Sequence, residues 1–259
     1  MIRNLRELYQ YRALLWSLTS RELGARYRGS VLGFLWTFLN PALLMAVYAV
    51  VFSVYMRQRL EHYTLFMFVG LLPWVWFSSS IAGGASTLSD RRDLLTKVRF
   101  PPQVLPAHVV LTNGINFLLS LPLMFVLSLA SGVVPTWHVV VVPVLVAIQT
   151  AFTLALIYFI SALNVTFRDL QHIVSNLLTL AFFLTPILYP LDVIPEQYRT
   201  MAVYANPMAA IATSYQRVVY EHRLPDPGPL AFCAALSLLL LLAASAYFSS
   251  RREELVELV

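Results

Sequence analysis

Charge is what this chain lacks most. Only 12% of its 259 residues are Asp, Glu, Lys or Arg, against a usual ~25%, and Lys97 is the one lysine. Six stretches, 32–55, 63–89, 109–135, 139–167, 173–191 and 228–250, carry no charge at all. At ~1.5 Å per residue, about 20 apolar residues cross the hydrocarbon core of a bilayer, so each stretch is long enough. A water-soluble helix of that length would need a polar face, which these lack. With 59% hydrophobic residues and a mean hydropathy of +0.70, the chain reads as an all-α integral membrane protein.

Other absences exclude chemistry. No uncharged stretch holds Asp, Glu, His or Lys near its middle, which argues against coupling to protons or sodium and against general acid–base catalysis at depth. The polar groups there are amides and hydroxyls, Asn40, Asn113, Asn116, Gln149, Thr153, Ser161, Asn176 and Thr185, expected to bond neighbouring helices. No G-x-x-x-x-G-K-[ST] loop is present, so the chain is not expected to bind nucleotide itself. The five histidines, 62, 108, 138, 172 and 222, are scattered, and no metal site is expected. The lone Cys233 excludes an intrachain disulfide and reads as a packing residue. Six arginines precede the first apolar run, which is also too long for a signal-peptide core of ~7–15 residues.

What is present is arginine, placed asymmetrically. Segments 1–31, 90–99, 168–172 and 251–259 hold 13 of the 18 Lys and Arg, whereas 56–62 and 192–227 hold 5. A net charge of +5 therefore reads as a topology signal rather than a nucleic-acid surface. The positive-inside rule puts the first set, with both termini, in the cytoplasm. A single domain over 1–259 is expected, with spans at about 32–55, 63–86, 107–131, 139–163, 170–190 and 228–250. Between the last two, residues 191–227 read as a loop and a pair of short helices re-entering from the outer side. Asn206-Pro207 breaks that stretch, because proline lacks the backbone donor.

Residues 1–28 form an amphipathic interface helix. Leu8, Tyr11, Leu15 and Leu18 share one side and Arg3, Arg6, Ser17 and Arg21 the other, with Arg12 and Glu22 weakening the pattern. It serves either as a plain anchor or as a surface for lipid or partner. In the loop at 89–102, Ser89 or Asp90 can cap a short helix that Phe100-Pro101-Pro102 stops. Leu94 and Val98 share a face there, with Arg91, Arg92 and Lys97 elsewhere; this is a solvated loop or a helix that docks on a soluble partner. In the next inner loop, Arg168-Asp169 is placed to cap the fifth span. Tyr48, Phe52 and Tyr55 recur at i, i+4, i+7, as Phe34 and Phe38 do at i, i+4. Such rings either line a path for sugars or pack and face lipid. Gly83-Gly84-Ala85 and Ser161-Ala162 permit close helix packing, including a contact between two copies.

Five segments carry a resemblance: RELGARYRGSVLGFLWTFLNP (21–41), FVGLLPWVWFSSSI (68–81), RRDLLTKVRFPPQVLP (91–106), NVTFRDLQHI (164–173) and LTPILYPLDVIPEQYR with ANP (184–199, 205–207). In this order and spacing the chain resembles the permease subunits of ABC exporters of bacterial surface polysaccharides, which serve O-antigen, capsule and teichoic-acid export. KVRFP and FRDL are closer to the O-antigen type than to the group-two capsule type; Pro102 doubles the family's FP stop.

The resemblance implies a homodimer of six-span subunits in the bacterial cytoplasmic membrane, each docked to a separate ATPase that holds ATP and Mg, with no cofactor in this chain. The substrate would be a glycan on an undecaprenyl-diphosphate or phospholipid carrier. By the same resemblance Arg91, Arg92, Asp93, Leu94, Leu95, Lys97, Val98 and Arg99 form the first coupling helix, and Phe167, Arg168 and Asp169 the second contact. Arg21, Glu22, Arg26 and Tyr27 would close the interface helix where the lipid headgroup enters. Pro190, Pro195, Asn206 and Pro207 would shape the outer gate. Phe34, Phe38, Tyr48, Phe52 and Tyr55 are the candidates for the glycan path. Two other readings are a permease for a different lipid-linked substrate and a membrane-embedded glycosyl- or acyltransferase; Asp192, Glu196 and His222 are the only outer groups that could serve the latter.

Overall fold

The structure, a computed structural model, describes residues 2–30, 32–55 and 60–251, except for the side chains of residues 2–5, 26, 27, 34, 37 and 53. Helices α1 (Ile2–Gln10) and α2 (Arg12–Tyr27) stand where one interface helix was expected. Tyr11 leaves helical geometry at φ −95° and ψ 20°, yet hydrogen bonds run through the bend, from Tyr11 N–H to Glu7 O and from Leu15 N–H to Tyr11 O, both 2.9 Å. The side bearing Leu8, Tyr11, Leu15 and Leu18 packs on the core, while Tyr9 and Trp16 stay exposed.

Among the described residues four helical segments are long and apolar enough to cross a membrane, and no strand occurs. They are α4 (Tyr63–Ala85), α7 (Val104–Ala130), α8 (Val142–Thr166) with a 3₁₀ lead at Trp137–Val141, and α12 (Pro227–Ser250). The first expected span is a composite: a 3₁₀ turn at Gly33–Leu35, α3 (Trp36–Ala49) with Pro41 inside it, and a π-helical turn at Val50–Tyr55. The fifth, α9 (Leu170–Leu184), stops at Thr185, extended at φ −94° and ψ 129°, because the following Pro186 disfavours helical geometry before it. Two short loop helices, α5 (Thr87–Asp90) and α6 (Arg92–Lys97), precede α7. Two more, α10 (Glu196–Ala205) and α11 (Pro207–Val219), precede α12. Asn206 separates these last two as expected: its side chain accepts from Met208 N–H at 3.1 Å, and Pro207 opens the next helix, where a missing N–H costs nothing.

α4 is the axis of the fold, buried along most of its length against α7, α8, α9 and α11. Gly84 lets α8 come close: a methyl group there would stand 1.8 Å from Ile157 Cδ1. Ser161 and Ala162 are likewise buried, on α8. Gly84, Ala85, Ser161 and Ala162 are thus used in packing within the chain, while Gly83 stays exposed. The span amides and hydroxyls also behave differently from expectation. Gln149 does reach another helix, donating to Pro73 O at 2.8 Å, but Asn113 and Thr153 bond the carbonyl four residues back in their own helix. That carbonyl is the nearest acceptor to a short side chain on a helix.

Candidate functional site: two loops and the interface helix at one end of the bundle

Glu22, the acid that disturbed the apolar side of the interface helix, joins three elements. Its Oε2 accepts from Arg91 Nη2 at 2.9 Å and lies 2.9 Å from His108 Nε2 at the start of α7. The His108 ring is fully buried, and its Nδ1 faces Leu105 O, so both ring nitrogens meet acceptors. Nearby, Gln103 Nε2 donates to Glu7 Oε2, fastening α1 as well. A carboxylate shared by two ring or guanidinium donors in a half-buried site makes the stronger kind of hydrogen bond, at about 1.5–3 kcal/mol each. This clamp escaped the sequence reading, since nothing local in the sequence links residues 22, 91 and 108.

The coupling-helix residues divide by environment. Leu95 is buried and Leu94 packs partly on the core beside Leu18 of α2, so these two anchor α6 to its own protein. Arg91 is committed to Glu22. Arg92, Asp93, Lys97, Val98 and Arg99 face outward. Lys97 Nζ lies 3.9 Å from Asp93 Oδ1, an exposed pair of little energetic weight. Neither Ser89 nor Asp90 caps α6; Ser86 Oγ instead donates to Asp90 Oδ2 at 2.6 Å, and Arg91 holds the position before the helix.

Phe167, Arg168 and Asp169 are all exposed on the second loop. Asp169 occupies the residue before α9, but its side chain does not cap it. With φ −70° and ψ −13° it is already helical, whereas a capping carboxylate needs extended geometry. The two loops meet. Ser86, Ser89, Asp90 and Arg92 of the first, with Asn164 and Arg168 of the second, line one groove of about 320 Å³. Asn164 is buried in its wall with Oδ1 lacking a hydrogen-bond partner.

At the other end, Pro186–Pro190 and α11 are tied to α4. Tyr63 OH donates to Leu188 O at 2.7 Å, Gln216 Nε2 to Pro186 O at 3.1 Å, and Asn206 Nδ2 to Thr185 Oγ1 at 2.9 Å. Pro190 and Pro195 bracket a 3₁₀ turn at Leu191–Val193, and Arg199 donates to Ile194 O and Asp192 O at 2.8 and 2.7 Å. Tyr220, just past α11, has its hydroxyl pKa pushed up by burial, then by the Glu61 and Glu221 carboxylates.

The aromatic candidates do not share one open face. Tyr48 stacks on Phe182 at 5.7 Å and Phe52 lies 6.1 Å from Tyr63, whereas Tyr55 is 75% exposed. The π-helical turn is the reason: with hydrogen bonds at i→i+5 it rotates Tyr55 away from the α-helical face that carries Tyr48. Phe38 is partly buried. The side chains of Phe34, Arg26 and Tyr27 lie outside the described residues, and Arg21 is exposed beside Glu22. Among the described residues, no group of three or more His, Cys, Asp or Glu could hold a metal ion.

Residues 13–220 match the model of the ABC-2 type transporter membrane family. The chain belongs to this family. The ABC-2 chain is 66% identical to an O-antigen export system permease protein, RfbA, of Myxococcus xanthus over 258 residues, 99% of each chain. It is 35% identical to the RfbA permease of Klebsiella pneumoniae over 79% of each. It is 22% identical to the polysialic acid transport protein KpsM of Escherichia coli over 93% of this chain and 94% of that one. The ABC-2 chain is therefore a multi-pass membrane permease, a transporter subunit rather than an enzyme.

Proposed function

We propose that this ABC-2 permease is the transmembrane subunit of an ATP-driven exporter that moves a lipid-linked surface polysaccharide of the O-antigen kind across the bacterial cytoplasmic membrane. The observation that carries it is the 66% identity, end to end, with a permease named for O-antigen export. The finer arrangement is part of the proposal: six spans, with α3 and its π turn as the first and α9 as the fifth, and both termini cytoplasmic.

Energy comes from a separate ATPase, which holds ATP and Mg. It docks where α6 and Phe167–Asp169 converge, since Arg92 and Arg168 reach the shared groove with no acidic partner among the described residues. A second copy of the chain completes the transporter. Support comes from α9, which buries only Val174 and Phe182 and leaves Ile173, Leu177, Leu180 and Phe183 open to another apolar surface. Arg21 and Glu22 sit where a lipid headgroup would enter, and α10–α11, tied to α4, form the outer gate. The glycan passes beside α3 and the π turn that follows it, where Tyr55 is exposed.

Deleting the gene and restoring it from a plasmid tests this reading. The deletion strain is expected to lose surface polysaccharide, retain lipid-linked glycan inside, and recover with the wild-type chain. Unchanged surface polysaccharide in the deletion strain would overturn the proposal.

A further inference from the structure

Between α3, α4 and α7 lies a slot of about 230 Å³ whose wall is polar and aromatic at membrane depth. Trp36, Asn40, Trp76, Asn113, Asn116 and Phe117 line it, with Ser79 and Ser120 at its edges. On α7 it runs from Asn113 to Ser120, about 10 Å at ~1.5 Å per residue. Three amides in one place within the spans need an explanation, because an amide in hydrocarbon is costly unless it is bonded.

Bonding within the protein explains part of the set. Asn113 Nδ2 donates to Val109 O at 3.1 Å and Ser120 Oγ to Asn116 O at 2.8 Å. The two indole N–H groups are also used: Trp76 Nε1 donates to Val110 O at 3.2 Å and Trp36 Nε1 to Ser30 Oγ at 3.0 Å. One acceptor is left over. Asn116 Oδ1 is shielded from solvent and has no hydrogen-bond partner. Asn40 and Ser79 are exposed to the slot side of their helices rather than turned into the bundle. A helix–helix hydrogen bond, the ordinary use of such residues in membranes, is therefore not what Asn116 makes.

We infer that this slot binds a neutral, hydroxyl-rich ligand, a sugar unit of the glycan that the permease moves; the inference rests on the export reading above. The chemistry matches on three points. Asn116 Oδ1 requires a donor, which a hydroxyl supplies. The amides of Asn40 and Asn113 offer further acceptors and donors. Trp76 and Phe117, stacked with ring centres 5.0 Å apart, both line the slot and supply apolar ring atoms for the C–H groups of a pyranose. No Arg or Lys lines the slot, so a phosphate or other anion finds no counter-charge there.

Two measurements test this. First, the full-length permease is purified with its ATPase and titrated with free mannose, rhamnose, galactose and N-acetylglucosamine while tryptophan fluorescence is read. Trp36 and Trp76 report directly, so at least one sugar is expected to shift emission saturably, and Asn113→Leu with Asn116→Leu to weaken that response. No response to any of the four sugars overturns the site. A response that instead follows phosphatidylglycerol added in vesicles, with none to sugar, also overturns it, since the polyol would then be a lipid headgroup.

Second, export is measured in deletion cells carrying each variant at equal membrane level. The double Leu variant is expected to export about five- to thirtyfold more slowly, the range given by one or two lost neutral hydrogen bonds. Thr150→Val, whose hydroxyl serves Val146 O outside the slot, is expected to export normally. If wild type restores export and the double variant matches it, the slot is wrong and the export reading stands. If wild type restores nothing, the export reading itself fails.

Discussion

Gly84 and Ile157 touch so closely that α4 and α8 have no room for a side chain between them: an added Cβ would meet Ile157 Cδ1 at 1.8 Å and Cγ1 at 2.3 Å. Both residues are buried, Gly84 at the inner-loop end of α4. Gly84→Ala is therefore expected to destabilise by about 1–3 kcal/mol, the usual range for overpacking. Adding Ile157→Ala should recover part of the loss, since it removes the two clashing atoms, Cδ1 and Cγ1, and leaves Ile157 Cβ at 3.8 Å. Thermal melting of detergent-solubilised protein, read by loss of the monodisperse peak, checks both. Equal melting of Gly84→Ala and wild type would mean that α8 shifts freely.

Glu22 is the next test. Glu22→Ala removes the acceptor shared by Arg91 and the buried His108, and is expected to cost about 1.5–3 kcal/mol. It should also loosen α2, exposing the bond after Arg21 to trypsin. Glu22→Gln keeps one acceptor oxygen and should fall between. Limited proteolysis with intact mass readout distinguishes them; identical cleavage of all three proteins would deny the clamp.

The clamp and the slot mark where the sequence was and was not legible. Uncharged runs betrayed the helices, because a bilayer leaves backbone groups no other partner, and Asn206-Pro207 betrayed the break between α10 and α11 through local capping chemistry. Glu22, Arg91 and His108 meet only through tertiary packing, so their one sequence trace was an acid on the wrong side of an amphipathic helix. The aromatic face at Tyr48, Phe52 and Tyr55 presumed a regular α-helix, and the π turn at Val50–Tyr55 broke that presumption. Asn113 and Asn116 were visible as span amides, but which of their atoms lacks a partner depends on what α3 and α4 bring opposite.

Docking at the inner loops should be electrostatic. Arg92→Glu with Arg168→Glu reverses the two outward cations of the shared groove and leaves Leu94 and Leu95, the anchors of α6, in place. The double variant is expected to reach the membrane at wild-type level yet lose about ten- to a thousandfold in ATPase affinity, or ~1–4 kcal/mol. Co-purification from solubilised membranes reads this. Undiminished ATPase recovery would place the docking surface elsewhere.

Sidedness follows from the six-span arrangement. In a Cys233→Ser background, a cysteine at Lys97 is expected to react with a membrane-impermeant maleimide only after the cells are opened. One at Glu196, in α10, should react in intact spheroplasts. Labelling of position 97 from outside would reverse both loops and remove the docking site from the cytoplasm.

The central claim, ATP-driven export through this chain, is tested most directly by transport itself. Inside-out vesicles containing the permease and its ATPase are supplied with radiolabelled lipid-linked glycan, and label protected inside the lumen is followed over time. The account predicts accumulation that requires ATP, stops with a non-hydrolysable analogue, and is absent from vesicles lacking the permease. Accumulation that proceeds equally without ATP, or without the permease, would contradict it.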